Sequence, residues 1–154
     1  MILVIFLYLL AMVCWLGAVI FFSFFTAPAV FTRLPIAEAG KVISTIFPRY
    51  YLLGYVAGAI ALLIAIYMAV AARGWWLLCV VTIALALGCT LYAGMVIRPR
   101  VDAIRSVAEE QNPDPARKAE FDRLHHLSVV LNGAVLLLDI VALFGTAAAL
   151  APRG

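Results

Sequence analysis

Four side chains in the last apolar run of the chain have the types and spacing expected of a site. They are His125, Ser128, Asn132 and Asp139. At about 100° per residue of an α-helix, all four fall on one stripe of the same helix. An imidazole holds a proton or a metal ion, a hydroxyl and an amide form hydrogen bonds, and a carboxyl carries a proton. We therefore expect this stripe to face other polar groups or a bound molecule.

Polar side chains on the other apolar runs lie at a depth similar to that of Asn132. At about 1.5 Å per residue, Asn132 lies about 10 Å along the helix from His125. A buried polar group without a partner costs about 1–3 kcal/mol, so groups at this level should meet one another or a ligand. The polar groups at this depth and the basic groups just beyond it are Ser23, Thr26, Tyr55, Thr90, Tyr92, Arg33, Arg49, Arg98 and Arg100.

This polar layer has two interpretations. One is a network of hydrogen bonds between helices, each worth about 0.6 kcal/mol in lipid. The other is a pocket for a small ligand with an anionic group: a lipid phosphate, a carboxylate or the propionates of a porphyrin. The residues that we predict to bind such a ligand are Arg33, Arg49, Tyr55, Tyr92, Arg98, His125, Ser128 and Asn132.

Asp139 forms a separate feature, because it lies about 18 Å beyond Leu127, near the middle of the last apolar run. An ionised Asp at that depth costs about 2.5–3.5 kcal/mol or more. It is a candidate proton or cation relay, or it stays protonated and hydrogen-bonded to Thr82 or Tyr67. No cationic side chain lies at its depth, which favours the protonated form.

The sequence contains no motif that indicates a metal site or an enzyme active site. His125 and His126 point about 100° apart on a helix and cannot hold one ion together. Haem or metal on His125 alone is the alternative to a hydrogen-bonded histidine near the membrane surface. The sequence has no nucleophile–base–acid set, glycine-rich phosphate loop or zinc motif. We therefore predict no catalytic residue and no metal ligands, and we leave the cofactor open between haem, a metal and none.

The composition indicates an integral membrane protein. The chain is 67% hydrophobic and 12% charged, whereas an average soluble domain has about 25% charged residues. Its mean hydropathy is +1.13. The net charge of +3 does not indicate nucleic-acid binding, because many of the bases stand beside acids. The expected partners are membrane lipids and either further copies of the chain or a larger membrane complex.

The hydropathy pattern predicts an all-α fold, a bundle of four transmembrane helices in a single domain over residues 1–154. Residues 1–32 carry no charge, and this run is about twice as long as the 7–15-residue apolar core of a signal peptide. We therefore expect a retained helix that Pro28 kinks or ends. The predicted spans are about 2–26, 50–72, 75–97 and 127–150.

Two further elements are predicted between the spans. Apolar residues recur at helical spacing between Pro35 and Pro48, which indicates a helix over about 35–47 lying in the membrane interface. A soluble loop is the alternative there. Opposite charges at i and i+4, as in Arg98 and Asp102, indicate that the third and fourth helices continue beyond the membrane. They would form a cytoplasmic hairpin over about 98–126, with Asp114 capping the fourth helix.

The basic residues are distributed unevenly between the two sides. Nine of the eleven lysines and arginines fall in the loops at 33–50 and 98–126, and the other two are Arg73 and Arg153. Since cytoplasmic loops carry an excess of Lys and Arg, both loops should face the cytoplasm and both termini the opposite side. We therefore predict a multi-pass protein of the inner (plasma) membrane.

Three sequence blocks resemble a known family. They are APAVF at 27–31, FPRYY at 47–51, and the pattern F-x-x-x-H-x-x-S-x-x-x-N from Phe121 to Asn132. Together they resemble the transmembrane protein 205-like family, whose bacterial members are a domain of unknown function. The resemblance spans nearly the whole chain and implies a four-helix membrane protein, without an established reaction.

More loosely, the chain is similar to bacterial copper-resistance membrane proteins and to a membrane protoporphyrinogen oxidase. Its first apolar run has no His, where the porphyrin enzyme is expected to have one. The hypothesis is therefore a membrane protein that binds or passes a small ligand at a cytoplasm-facing polar pocket. The alternatives are a non-catalytic subunit or assembly factor of a larger complex, a porphyrin- or quinone-linked redox protein, and a metal or proton transporter.

Overall fold

Helices make up the fold. A computed structural model describes residues 1–104 and 114–151, with all their side chains except those of Ile36 and Ala37, and this part contains no strand. The elements in chain order are α1 (Ile2–Phe21), a first π-helical segment (Phe22–Thr26), α2 (Ala27–Arg33), α3 (Ile36–Ala72), α4 (Trp75–Tyr92), a second π-helical segment (Ala93–Ile97), α5 (Arg98–Ile104) and α6 (Pro115–Leu150).

In the part of the chain that the structure describes, four helical stretches are long and apolar enough to cross a membrane, and each contains between 30 and 36 residues. About 20 residues suffice to cross the ~30 Å hydrocarbon layer. Large apolar side chains face outward, including Val70 at 80% and Leu63 at 68% exposure. The protein is therefore a multi-pass integral membrane protein, and the predicted four-helix bundle is confirmed. The spans are Ile2–Arg33, Glu38–Ala72, Trp75–Ile104 and Pro115–Leu150.

The spans alternate in direction, which gives the bundle two ends. The hairpin end contains the connection between Arg33 and Ile36, together with Ile104 and Pro115. The terminus end contains the first and last helical residues and the turn at Arg73 and Gly74. Both turn residues have positive φ, 50° and 64°, a conformation that Gly adopts without a steric cost. Helix α4 packs against α3 and α6, and α1 packs against α3 and touches α6.

The core lies toward the terminus end. Tyr8, Met12 and Trp15 of α1 are at most 1% exposed. The Trp15 indole packs against Gly54 and Gly58 of α3, and a Cβ added at Gly58 would lie 2.8 Å from Trp15 Cη2. Small residues at this spacing let two helices approach closely, so the glycine and alanine stripe of α3 serves contacts within the bundle.

Both π-helical segments precede a proline. Pro28 follows the segment Phe22–Thr26, and Pro99 follows the segment Ala93–Ile97. The sequence predicted that Pro28 kinks or ends the first span near residue 26. The helical stretch continues to Arg33, so Pro28 does not end the span, and a kink there stays a prediction. Ala27, directly after the first π-helical segment, donates its N–H to the Phe22 carbonyl five residues back, so this wider hydrogen-bond spacing immediately precedes the missing N–H of Pro28. Such π segments occur frequently at functional sites.

A second difference concerns Pro48. The sequence predicted an interfacial helix over about 35–47 and a span starting at about 50, but the structure has one helix, Ile36–Ala72, with Pro48 inside it. Proline removes one N–H donor from the ladder. The neighbouring Arg49 guanidinium donates to the Thr45 carbonyl at 3.5 Å. The face of α3 therefore runs without interruption from the hairpin end into the bundle.

The third and fourth spans continue toward the predicted hairpin. The Arg98 guanidinium and the Asp102 carboxylate form the predicted i,i+4 ion pair, with Nε 3.5 Å from Oδ2. Asp114 caps α6 as predicted, because its Oδ1 accepts from the Ala116 N–H at 3.3 Å and Pro115 occupies the first helical position. The centre of the predicted hairpin, residues 105–113, lies outside the described residues.

Candidate functional site

A cavity of about 390 Å³ lies among the four spans at the hairpin end. Its walls are mostly aromatic and aliphatic, and its polar groups come from all four spans. We refer to it as the hairpin-end cavity. Its lining residues are Phe22, Ser23, Ala27, Phe31, Gly40, Ile43, Ser44, Phe47, Tyr50, Tyr51, Ile97, Arg98, Val101, Asp102, Phe121, His125, Ser128, Val129 and Asn132.

Aromatic rings form one side of this cavity. The Phe22 ring lies 4.8 Å from that of Tyr50 and 5.3 Å from that of Phe47, and Phe47 lies 5.6 Å from Tyr51. Phe47, Tyr50 and Tyr51 share a face of α3 because residues three and four apart are neighbours on a helix. Phe22 belongs to the first π-helical segment. The cluster therefore joins the first two spans beside the cavity.

The inner wall contains a hydrogen-bonded link between three spans. Asn132 of α6 donates from Nδ2 to the Ser23 hydroxyl of the first span at 2.7 Å. Its Oδ1 accepts from the Tyr50 hydroxyl of α3. Both ends of the amide are thus bonded, as the interhelical-network interpretation expects. The same three side chains also line the cavity.

Charged and polar groups lie at the opposite, outer wall. The Arg98 guanidinium stands beside Asp102, whose Oδ1 also accepts from the Ser44 hydroxyl at 3.3 Å. The His125 imidazole stacks on Phe121, with ring centroids 6.2 Å apart and planes 3° from parallel. The ring stack orients the imidazole, and the carboxylate balances part of the arginine charge. The cavity therefore has an apolar body with polar groups at two levels.

Half of the eight residues predicted to bind a ligand line this cavity: Arg98, His125, Ser128 and Asn132. The structure brings these four together from the third and fourth spans. The other four lie outside the lining. Arg33 and Arg49 are exposed, and Tyr55 and Tyr92 face elsewhere.

Tyr55 and Tyr92 have different surroundings. The Tyr55 hydroxyl lies against Gly94 in the second π-helical segment, so closely that a Cβ there would overlap it. Tyr92 is 45% exposed on the outer surface of the bundle. Their depth in the membrane resembles that of Asn132, but their helices turn them away from the cavity. A prediction from depth alone therefore includes two residues that do not line the hairpin-end cavity.

Tyr50 and Tyr51 line the cavity but were not among the predicted ligand-binding residues. Ile43 and Phe47 also line it, and the four positions follow the i, i+4, i+7 and i+8 spacing of one helical face. The sequence contained this signal. A helix boundary at Pro48 separates Ile43 and Phe47 from the tyrosines and hides this signal, whereas the structure has Pro48 inside α3.

Asp139 lies deeper in the bundle and has no measurable exposure. Among the described residues, neither of its carboxyl oxygens has a hydrogen-bond partner. The predicted alternative, a hydrogen bond from Asp139 to Thr82 or Tyr67, is absent from the described residues. The Thr82 hydroxyl donates to the carbonyl groups of Leu78 and Cys79, and Tyr67 is 55% exposed.

Within ranges 1–104 and 114–151, no group of three or more His, Cys, Asp or Glu side chains is placed to hold a metal ion. His126 is exposed next to His125. What the site offers is a partly apolar chamber with hydrogen-bonding groups.

A protein-family model matches most of the chain. Residues 10–110 match the family model described as a domain of unknown function, DUF4149. No curated protein and no solved structure matches the chain. The matched residues include the first span from residue 10 onward, the second and third spans, and the cavity residues that these spans contribute, while α6 with Asn132 and Asp139 follows them. Because the match covers well over half of the sequence, the chain belongs to the DUF4149 family, a domain of unknown function.

Proposed function

We propose that the protein binds or passes a small amphipathic ligand through the hairpin-end cavity. The apolar body of the ligand would lie among the aromatic rings, and its anionic head would lie beside Arg98 and His125. The observation that carries the proposal is the chamber itself, about 390 Å³ between four spans. Ligand pockets typically measure about 300–1,000 Å³ and combine apolar walls with a few polar groups.

The charges support an anionic head. Arg98 and Asp102 are only partly exposed, at 26% and 36% of their side chains. A guanidinium has five N–H donors in a fork that matches carboxylate and phosphate groups. One Asp102 oxygen 3.5 Å from Nε leaves this fork able to accept a second anion. A carboxylate or a phosphate head is therefore the ligand chemistry that suits the outer wall.

The resemblance to the transmembrane protein 205-like family supports the same location. Several positions of its blocks line the cavity, among them Phe47, Tyr50, His125, Ser128 and Asn132. These residues come from distant parts of the sequence. A common role at one chamber explains why the blocks converge there.

We also propose that the hairpin end faces the cytoplasm and that the membrane is the inner membrane. The support is the distribution of Lys and Arg, nine of eleven in the loops at that end. Two C-terminal fusions test the orientation. Alkaline phosphatase, which folds outside the cytoplasm, should be active, and green fluorescent protein, which fluoresces inside, should stay dark. The reverse pair of results would contradict this orientation.

Ligand binding is tested with probes that differ only in the head group. The probes are decanoate and decanol, added to the purified protein in mild detergent and measured by native mass spectrometry and titration calorimetry. Wild-type protein should bind decanoate more tightly than decanol. The double variant Arg98→Gln, Asp102→Asn should lose that preference without leaving a buried charge alone. Arg49→Gln is the matched control, since Arg49 is exposed outside the lining, and it should keep the preference.

Three results would contradict the proposal. Binding of neither probe, with no molecule retained from the membrane, would remove the ligand site. Equal binding of both probes would contradict the proposal that the ligand has an anionic head group. A stoichiometric partner chain in the same native spectra, with an empty cavity, would support the alternative of a subunit in a larger complex. A Soret band in the visible spectrum would favour the porphyrin alternative.

A further inference from the structure

A second polar feature runs deeper than the hairpin-end cavity. It consists of Asn132, Asp139 and Thr146, spaced seven residues apart on α6. Seven residues make almost two turns, so the three side chains share one face. Asp139 and Thr146 are 0% and 2% exposed. We call these three residues the polar seam.

The seam begins at the cavity wall. Asn132 and Tyr50 line the hairpin-end cavity, and they also line a second cavity of about 10 Å³. A space of about 10–15 Å³ by this measure holds one water molecule. Thr90 and Val135 complete part of its wall. Val135 lies one helical turn before Asp139, about 6 Å along the axis.

The seam continues past Asp139 toward the terminus end. The Thr146 hydroxyl lies 2.8 Å from the Tyr8 hydroxyl and 2.8 Å from the carbonyl oxygen of Ala142, to which it donates. The Cys79 thiol lies 3.5 Å from the same carbonyl. Groups that can accept or donate a proton therefore occur on both sides of Asp139 along the axis of the bundle.

Within residues 1–104 and 114–151, Asp139 has neither an ion-pair partner nor a hydrogen-bond partner. The ionisable groups that face its part of the bundle are Tyr8 of α1, Tyr50 of α3 and Cys79 of α4. None of them carries a positive charge. A carboxylate without a cation or a hydrogen-bond donor is unstable in an apolar interior. The carboxyl therefore holds a proton at rest, and any ionised state needs a path by which the proton leaves.

We propose that Asp139 is a proton-exchange site connected to the hairpin-end cavity through the Tyr50–Asn132 contact and the adjoining water-sized space. The proton would move between the Asp139 carboxyl and a water molecule in that space, and from there to water in the larger cavity. No electron transfer or bond other than O–H is involved. The proposal does not require a ligand in the hairpin-end cavity, so the two proposals succeed or fail separately.

The carbonyl stretching band of the protonated carboxyl provides the direct readout. Protein in lipid nanodiscs is transferred from H₂O to D₂O, and the infrared shift of this band from COOH to COOD is followed with time. Asp139→Glu should move the band, which assigns it without removing the acid. Asp139→Asn should abolish it. Wild-type protein should exchange within minutes, and a band that does not shift over hours would overturn the proposal.

The path is tested with Asn132→Leu. Replacing the amide by an apolar side chain should slow exchange by about tenfold or more, because a proton then crosses an apolar layer. Val130→Leu is the control, since Val130 is 50% exposed near the same level of α6 and should leave the rate unchanged. Equal rates in Asn132→Leu and wild-type protein would overturn the connection to the cavity.

An apolar carbodiimide gives an independent chemical test. Dicyclohexylcarbodiimide takes the proton of a carboxylic acid on one nitrogen while the carboxylate oxygen adds to its central carbon, and the adduct rearranges to a stable N-acylurea. Mass spectrometry of peptides should find this adduct on Asp139, with less labelling as the pH rises. Labelling confined to exposed acids such as Glu120 and Asp122 would contradict a protonated Asp139.

Discussion

At the terminus end, Tyr8, Met12 and Trp15 are at most 1% exposed and fill the space between the spans. At the hairpin end, the same four spans leave a cavity of about 390 Å³. The difference follows from residue size and helix type. Large side chains of α1 meet glycine and alanine of α3 in the core, whereas aromatic rings meet one another around the cavity.

The irregular backbone lies on the side of the cavity. Both π-helical segments, Phe22–Thr26 and Ala93–Ile97, contribute lining residues, and the regular stretch of α1 supplies the core. A π segment widens one turn and changes the direction in which later side chains point. The comparison indicates that close packing provides stability at one end, while interrupted helices provide space at the other.

The largest expected effect is at Trp15. Trp15→Ala should lower the unfolding free energy by about 3 kcal/mol, because a buried large side chain is replaced by a void. Phe21→Ala is the matched control, since Phe21 is 65% exposed and should change stability little. Unfolding in mixed micelles with sodium dodecyl sulfate measures both. Equal losses of unfolding free energy in the two variants would contradict the assignment of Trp15 to the core and Phe21 to the surface.

The next effect is at Gly58, where a methyl group would lie 2.8 Å from Trp15 Cη2 and 3.0 Å from Leu87 Cδ1. The indole is buried at 1% exposure, so Gly58→Ala should destabilise the protein by about 2 kcal/mol through overpacking. At Gly133 nothing lies within 4 Å of an added Cβ. Gly133→Ala should therefore stabilise α6 by about 0.5–1 kcal/mol. If both variants unfold alike, the close approach of α1 and α3 is absent.

The fold was predictable because hydropathy is a one-dimensional signal. A run of about 20 apolar residues predicts a transmembrane span, whichever neighbours its individual side chains face. The boundaries were less predictable. Pro28 and Pro48 both lie within continuous helical stretches. A π-helical segment precedes Pro28, and Pro48 removes one N–H donor from α3. Packing against the neighbouring helices offsets this cost.

The site was only partly predictable for a different reason. The rise of about 1.5 Å per residue gives the depth of a side chain but not the direction in which it points. Along α6 the polar side chains themselves mark the inner face, so Asn132 and Ser128 were identified. On α3 and α4 the inner face is determined by packing against α1 and α6. Tyr92 therefore lies at a depth similar to that of Asn132, but its side chain points away from the cavity.

A smaller effect is expected from the link between three spans. Asn132→Leu removes the hydrogen bonds to Ser23 and Tyr50, and at about 0.6 kcal/mol each the loss should be about 1 kcal/mol. Tyr50→Phe removes one bond, keeps the ring contacts and should lose about half as much. Unfolding free energies check both values. A loss as large as that of Trp15→Ala would mean that the cavity end is as tightly packed as the core.

The smallest effect on stability is expected from Arg98 and Asp102. Their side chains are partly exposed and their closest atoms are 3.5 Å apart, and ion pairs of this kind contribute about 0.2–1 kcal/mol. A double-mutant cycle with Arg98→Gln and Asp102→Asn should give a coupling energy of about 0.5 kcal/mol that falls as salt is added. The pair would then be nearly dispensable for folding while standing at the wall where an anionic head is proposed to bind. A coupling of several kcal/mol, insensitive to salt, would instead assign the pair to the packed part of the bundle.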